Sequence, residues 1–222
     1  MIGVLRAVHL PVPFALQHRA REREIELLTA RAKAGDAKAQ FELWDALSGT
    51  PDSWKGEQWL KRSAELGYAE AEREMGDRAE AADEHKLAVD WYRKAALQGD
   101  GSANTAMGFA YLTGEGVPLD VSKAAQFLEA GAERGDAFAA EELGGCYRRA
   151  GDCLLSADFN AACKWLFIAR ALGNGPTCDA DVQSHLSPFQ ILEARQRAEN
   201  FLRLYGHLYH LNVKRSDWAT SP

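Results

Sequence analysis

The sequence predicts an all-α protein built from repeated helix pairs that stack into a right-handed α-solenoid. Alanine occurs 38 times in the 222 residues, whereas Val, Ile and Thr together occur 18 times, so residues that favour β-strands are scarce. A glycine followed by a small or polar residue and an alanine-rich segment recurs along most of the chain, as in AGDAKAQFELW and RGDAFAAEELG. Recurrence of this kind indicates a helical repeat array.

The N-terminal segment, MIGVLRAVHLPVPFALQH, is predicted to be an irregular extension. It is apolar, but Arg6, His9, Pro11 and Pro13 interrupt it. These residues break both the apolar core of a secretory signal and a membrane-spanning helix. We therefore expect no membrane insertion and a cytoplasmic protein, with the periplasm as the alternative.

Five glycines set the register of the repeat, namely Gly35, Gly67, Gly99, Gly135 and Gly173. A large apolar residue stands eight positions before each of them. These residues are Leu27, Trp59, Trp91, Phe127 and Trp165. Their constant spacing predicts that they belong to the core.

The residues after each glycine predict close helix packing. After the first four glycines, alanine stands at the fourth position and Leu or Met at the eighth, so both lie on one helix face. Gly76, Gly108 and Gly144 occupy the ninth position and carry no side chain. Each unit is predicted to be an antiparallel pair whose second helix ends at the next glycine. Stacked pairs share one continuous core, as in an α-solenoid.

A glycine-rich loop, GEGVPLD, separates the two helices of the third unit. Gly114 and Gly116 are predicted to adopt positive φ, and Pro118 prevents the first helix from continuing. No strand precedes this loop, and no Lys or Ser stands where a phosphate would be held. The loop is therefore interpreted as a structural turn.

The C-terminal segment LSPFQILEARQRAENFLRLYGHLY predicts a capping helix. Ser187 is the expected N-cap, Pro188 the first helical residue and Gln190 the partner that completes a capping box. This helix should cover the end of the stack. The predicted segments are the extension (1–18), the repeats (19–186) and the cap with its tail (187–222).

The stretch from Trp91 to Gly144 resembles the Sel1-like repeat family, a relative of the tetratricopeptide repeats. The resemblance extends less strictly from Glu24 to Gly173. The first two units lack the glycine-proline loop, and Trp44 stands where the family has glycine. The resemblance implies a superhelix whose concave side, lined by the first helices, binds other proteins. Family members act as adaptors and assembly factors, and some serve as bacterial immunity proteins.

The first helices of the units supply the predicted partner-binding residues. If these helices line a concave groove, positions three, six, ten and thirteen after each glycine face it. The candidate residues are Lys38, Phe41, Asp45, Glu70, Arg73, Asp77, Ser102, Thr105, Phe109, Leu112, Phe138, Glu141 and Arg148. The apolar residues among them are the predicted anchors, because exposed apolar residues in one groove commonly mark a binding site.

No pattern for catalysis, cofactor binding or metal binding stands out. The sequence has no P-loop, GxGxxG, GxSxG, HExxH or calcium-loop motif. His207 and His210 could share a helix face, but no nearby cluster completes a metal site. The four cysteines form no CxxC pair. They fit two disulfides in an exported chain, but we expect buried reduced thiols.

The predicted function is a non-enzymatic scaffold that binds another protein. The net charge of −6 arises from charges mixed along the chain, so no nucleic-acid partner is expected. We expect no cofactor, no metal and no catalytic residue. The alternative is a bacterial immunity protein that inhibits a cognate toxin enzyme by direct binding, and an enzyme with an unrecognised site ranks third.

Overall fold

The computed structural model describes residues 14–148, 158–173 and 178–206. Every element in these ranges is a helix, which confirms the all-α prediction. The chain divides into two compact units, Met1–Tyr68 and Ala69–Pro222.

The described residues of the first unit form three helices. They are α1 (Phe14–Lys33), α2 (Ala37–Leu47) and α3 (Ser53–Glu65). Helix α1 begins at Phe14, inside the extension predicted for residues 1–18. Leu28, Ala32, Ala39 and Leu43 form a buried cluster, and Leu60 and Ala64 of α3 are buried as well.

The second unit contains eight helices in its described residues. They are α4 (Ala69–Ala81), α5 (His85–Leu97), α6 (Gly101–Thr113), α7 (Val121–Glu133), α8 (Ala137–Arg148), α9 (Phe159–Ala171), α10 (Ala180–Ser184) and α11 (Pro188–Tyr205). Helix α4 packs on α5, α6 on α7 and α8 on α9. These are the helix pairs that the glycine register predicts.

A glycine-aspartate pair ends one helix and begins the next. At the end of α5, Gly99 adopts a left-handed φ of 90°, which side chains other than glycine rarely tolerate. The Asp100 backbone N–H then donates to the Ala95 carbonyl, as in a Schellman turn. The Asp100 carboxylate accepts the Ala103 N–H at 2.7 Å and caps α6. Gly35–Asp36 and Gly135–Asp136 repeat this arrangement.

Glycines at the ninth position form notches that receive a large side chain from the partner helix. A Cβ added to Gly108 would lie 2.7 Å from Leu128 Cδ2, so any larger residue would force the Leu128 side chain to move. The same contact recurs twice, between Gly76 and Tyr92 and between Gly144 and Leu166. The notches therefore set how closely the two helices of a pair approach.

The main core position lies seven residues before each repeat glycine, one residue later than predicted. Leu128 is 0% exposed, whereas its neighbour Phe127 is half-buried. Leu27, predicted to be core, is 63% exposed, while Leu28 is buried. One residue turns the side chain by about 100° around a helix, which moves it from the partner helix to the edge of the interface.

The predicted aromatic residues are therefore only partly core residues. Trp91 is half-buried, with Lys94 Nζ 3.8 Å from its ring centroid. Trp59 is also half-buried. Trp165 is fully buried because α11 packs over α9, and the Phe201 ring meets it edge-on at 5.3 Å.

The first unit reverses the sizes of the residues at its helix-helix contact. Trp44 of α2 occupies the ninth position, where the later units have glycine. The facing residue of α3 is Gly56, which is buried, and a Cβ there would lie 3.4 Å from Trp44 Cδ1. A large side chain on one helix and glycine on the other thus preserve the close approach.

Cys163 and Cys178 form a disulfide, with their Cα atoms 4.7 Å apart. The expectation of reduced thiols is therefore wrong for this pair. The bond ties α9 to the segment before α10, across 15 positions of sequence. Cys146 is buried and its Sγ lies 3.8 Å from Glu142 Oε1, while Cys153 lies outside the described residues.

Helix α11 has the capping box that the sequence predicts. The Ser187 hydroxyl accepts the Gln190 N–H, and the Gln190 side chain accepts the Ser187 N–H at 2.9 Å. Ala194 and Ala198 join the core formed by α8 and α9, so α11 covers this end of the second unit. His207 and His210 lie outside the described residues.

Glu72 is a buried carboxylate between α4 and α5, and it leads to a pH-dependent prediction. The residue is 4% exposed and accepts a hydrogen bond from Gln98 Nε2 at 2.6 Å. Burial raises the pKa of the Glu72 carboxyl above its ordinary value. The folded protein therefore holds this proton more tightly than the unfolded chain, so Glu72 reduces stability as the pH rises above about 4.5.

We expect Glu72→Gln to raise the free energy of unfolding at neutral pH, because the neutral amide still accepts from Gln98 without a buried charge. The gain should shrink as the pH falls through about 4.5, because the carboxyl then becomes protonated in the unfolded chain as well as in the folded protein. Urea denaturation of the parent and of Glu72→Gln, from neutral pH to about pH 4, measures this difference in the free energy of unfolding. Glu70→Gln, on the exposed side of α4, is the matched control and should show no such trend. A gain that grows towards acid pH would contradict the prediction.

Candidate partner-binding surface

The predicted residues of the first unit do not form an exposed apolar patch. Lys38 and Asp45 are exposed on α2. Phe41 is half-buried, because its ring packs against Trp44 and Tyr68 at centroid distances of 5.1 and 5.4 Å. The three rings fill the space around Trp44, the large residue at the ninth position, so Phe41 contributes to the packing of the unit.

The predicted residues of α4 form a charged network with their own neighbours. Arg73 lies 2.8 Å from the Asp77 carboxylate and 3.6 Å from that of Asp100. The Tyr92 hydroxyl donates to Asp77 Oδ1 at 2.9 Å. Glu70 is exposed beside them. These interactions hold the pairs together from outside the core, and they present charge to solvent.

Thr105 is wrongly placed on the groove by the sequence pattern. It is only 6% exposed, and its hydroxyl donates to the Gly101 carbonyl at 3.1 Å. A Cβ added to Gly131 of α7 would lie 2.6 Å from the Thr105 oxygen, so this threonine sits in a second glycine notch. Ser102, one turn earlier, is exposed.

Phe109 and Phe138 line a pocket between α6, α8 and α9. Phe138 is 65% exposed and Phe109 is 40% exposed. The pocket has a volume of about 180 Å³, and Leu166 also lines it. Leu112, the other predicted apolar anchor, is half-buried against the core and does not line the pocket.

Charged residues surround the two phenylalanines. Glu141 and Arg148, both predicted, line the pocket together with Glu142. The Arg148 guanidinium is 2.9 Å from the Asp179 carboxylate, which also caps α10. Arg148 is thus held by a neighbouring element, so the pocket has a fixed basic residue beside two carboxylates.

Sequence reasoning missed three lining residues: Glu142, Gly145 and Leu166. Leu166 directly follows Trp165. The sequence pattern assigns the core position to Trp165, so it does not single out Leu166. Glu142 and Gly145 occupy positions seven and ten after Gly135. Position seven is not one of the four positions predicted to face the groove. Position ten is one of them, but glycine has no side chain that would mark it as a binding residue.

No helix within the described residues is both long and apolar enough to span a membrane. A family model, the Sel1 repeat, matches residues 49–68, 71–100, 101–136 and 137–174. These matches cover more than half of the chain and follow the glycine register. A search of the curated proteins finds no significant match.

Two solved structures show the same fold. One is a protective antigen present in uropathogenic Escherichia coli strains, described as displaying an SLR fold, with a TM-score of 0.71 and 24% identity. That match covers 86% of this chain and 44% of the antigen, so the chain spans less than half of its length. The other is a Sel1 repeat protein from Oxalobacter formigenes, with a TM-score of 0.64, 25% identity and coverage of 84% and 79%. These matches confirm the predicted solenoid fold class.

Proposed function

The chain belongs to the Sel1 repeat family, and on that premise we propose that it is a non-enzymatic scaffold that binds a partner protein at the pocket lined by Phe109 and Phe138. The observation that carries the proposal is that both rings are exposed and both line this pocket. Large apolar side chains exposed together at a concave site are typical binding anchors, because burying them on contact is strongly favourable.

The size of the pocket supports a protein partner. At about 180 Å³ it is smaller than the pockets of roughly 300–1,000 Å³ that usually hold small molecules. Such a pocket accepts one protruding side chain of a larger surface. The two phenylalanines would then cover the flanks of that side chain and exclude water around it.

The charges around the pocket indicate the chemistry of the partner. Glu141 and Glu142 line the pocket together with Arg148, and two carboxylates beside one guanidinium make its lining negative overall, like the chain, whose net charge is −6. We propose that the partner inserts an apolar side chain flanked by Lys or Arg. Complementary charge would speed association and select the partner.

We expect Phe138→Ala to weaken partner binding by about 2 kcal/mol, or roughly 30-fold in Kd, without altering the unfolding midpoint. The physical reason is that a 65% exposed ring contributes little to the core but much to an interface that buries it. The partner is first identified by mass spectrometry of proteins captured at native expression, and the affinity is then measured by calorimetry.

Leu97→Ala is the matched control for this substitution. Leu97 is 83% exposed at the end of α5 and does not line the pocket, so its removal should leave the affinity unchanged. Equal losses from both substitutions, or a loss from Leu97→Ala alone, would show that the partner binds elsewhere.

The identity of the captured partner also tests the narrower alternative of an immunity protein. In that case the partner is a toxin enzyme, the purified chain inhibits its activity, and co-expression restores growth. A captured partner without toxic activity leaves the general scaffold as the function.

The Cys163–Cys178 disulfide indicates the kind of cellular compartment in which the protein works. Disulfides persist in oxidising compartments such as the periplasm and are rare in the cytosol, where thiols are kept reduced. We therefore propose the periplasmic alternative in place of the cytoplasmic location expected from the sequence. Fractionation of cells followed by thiol labelling of the chain tests this proposal.

A further inference from the structure

Three side chains with metal-ligating atoms meet beside the turn between α4 and α5. Glu80 belongs to the last turn of α4, His85 is the first residue of α5, and Glu115 lies in the loop between α6 and α7. One ligating atom from each residue lies within 4.8 Å of the other two. Three segments that are separate in sequence thus bring one imidazole and two carboxylates together.

The His85 ring nitrogen that faces Glu80 is shielded from solvent. Among the described residues this atom, Nδ1, makes no hydrogen bond of good geometry, although it lies within ion-pair distance of the Glu80 carboxylate. Buried polar atoms nearly always have a hydrogen-bond partner, so this nitrogen calls for an explanation. Glu80 Oε1 is 3.3 Å from this nitrogen. Two ligands on a tetrahedral zinc ion, with bonds of about 2.0–2.1 Å, are about 3.3–3.4 Å apart.

The third ligand is held in place by its own loop. Gly116 adopts a φ of 72° and presses against the backbone of His85, where any side chain would collide with the His85 carbonyl oxygen. The Thr113 hydroxyl contacts Glu115 twice: it accepts the Glu115 N–H at 3.3 Å, and it lies 3.1 Å from Glu115 Oε2. The one proton of this hydroxyl is shared between Oε2 and the Phe109 carbonyl oxygen, which lies at the same distance. A hydrogen bond of this kind behind a ligand is a common feature of protein metal sites.

We propose that Glu80, His85 and Glu115 bind a divalent transition-metal ion, with zinc as the expected metal. Imidazole and carboxylate together suit zinc, and three protein ligands leave one position for water. Two carboxylates and a neutral imidazole carry a charge of −2, which the ion neutralises. The Glu80 side chain is 43% exposed, so it can change rotamer to bring its carboxylate onto the ion.

The bound ion ties the α6–α7 loop to the turn between α4 and α5. This loop is GEGVPLD, in which Gly114 and Gly116 adopt positive φ as predicted. Its contact with His85 joins two neighbouring helix pairs of the second unit. The ion therefore acts as a structural clamp between repeats, and this role is independent of the proposed partner-binding pocket.

Calorimetric titration of the tag-free full chain with zinc chloride tests the site. The measurements use a His207→Ala, His210→Ala background, because that histidine pair could bind zinc itself. We expect one zinc ion per chain and a higher Tm when zinc is present. Thr113→Val should weaken zinc binding about 10-fold, because it removes both contacts of the hydroxyl with Glu115.

Replacement of the ligands separates the proposal from nonspecific binding. His85→Ala and Glu115→Gln should each abolish the one-to-one binding and the rise in Tm, whereas His185→Ala should keep both. Glu115 is exposed in a loop, so its variant is expected to fold even if His85→Ala does not. Zinc binding that survives both ligand substitutions, or no zinc binding by the parent, would overturn the proposal. A protonated His85 paired with Glu80 would then explain the cluster.

Discussion

Replacing Leu128 by alanine is expected to lower the free energy of unfolding by about 3–5 kcal/mol. Leu128 is 0% exposed, and its side chain fills the notch at Gly108 between α6 and α7. Removal of the side chain leaves a cavity that the two helices cannot close, because the backbone at Gly108 offers no side chain to fill it. Urea denaturation followed by circular dichroism measures the loss.

Phe127→Ala is the matched control, since Phe127 precedes Leu128 on the same helix but is only half-buried. Its ring stacks on Tyr111 at a centroid distance of 5.6 Å near the edge of the interface. We expect its removal to cost about 1–2 kcal/mol. A larger loss from Phe127→Ala than from Leu128→Ala would contradict this prediction. It would show that the core position is eight residues before the glycine, as the sequence predicts.

The same notch predicts energetic coupling between its two sides. Gly108→Ala places a Cβ 2.7 Å from the Leu128 side chain and should be destabilising in the parent protein. In the Leu128→Ala variant the obstructing atoms are absent, so the same substitution should cost little or be favourable. Equal costs in both backgrounds would mean that the notch does not control helix approach.

Reducing the Cys163–Cys178 disulfide is expected to lower the free energy of unfolding by about 3 kcal/mol. The bond closes a loop with a sequence separation of 15, and a crosslink of this length restricts the unfolded chain by about that amount. Both cysteines are buried, and the bond fixes the segment before α10, where Asp179 holds Arg148 at the pocket. Urea denaturation with and without reductant measures the effect.

The Cys163→Ala, Cys178→Ala variant is the control for nonspecific effects of the reductant. Its stability should be lower than that of the parent and insensitive to reductant. Alkylation of the unfolded, unreduced parent followed by mass spectrometry should leave these two cysteines unmodified. Alkylation of both, together with a stability that reductant does not change, would support the reduced thiols expected from the sequence.

The proposed binding surface could be predicted in part because helix periodicity places residues on faces. Phe109 and Phe138 follow their glycines at positions ten and three, and both are exposed. That they bind a partner remains a proposal. Thr105 fits the same pattern but is buried, because Gly131 on the neighbouring helix lets α6 and α7 approach there. A pattern within one helix carries no information about such a notch on another.

The sequence by itself determined the helix pairs, their ends and the capping of α11. These features depend on local interactions, such as the positive φ of Gly99, the capping by Asp100 and the capping box at Ser187. Only the tertiary structure decided that Leu128 rather than Phe127 fills the core, that Cys163 pairs with Cys178, and which side chains surround His85. The physical reason is that burial and pairing depend on the side chains of neighbouring helices, which helical periodicity does not specify.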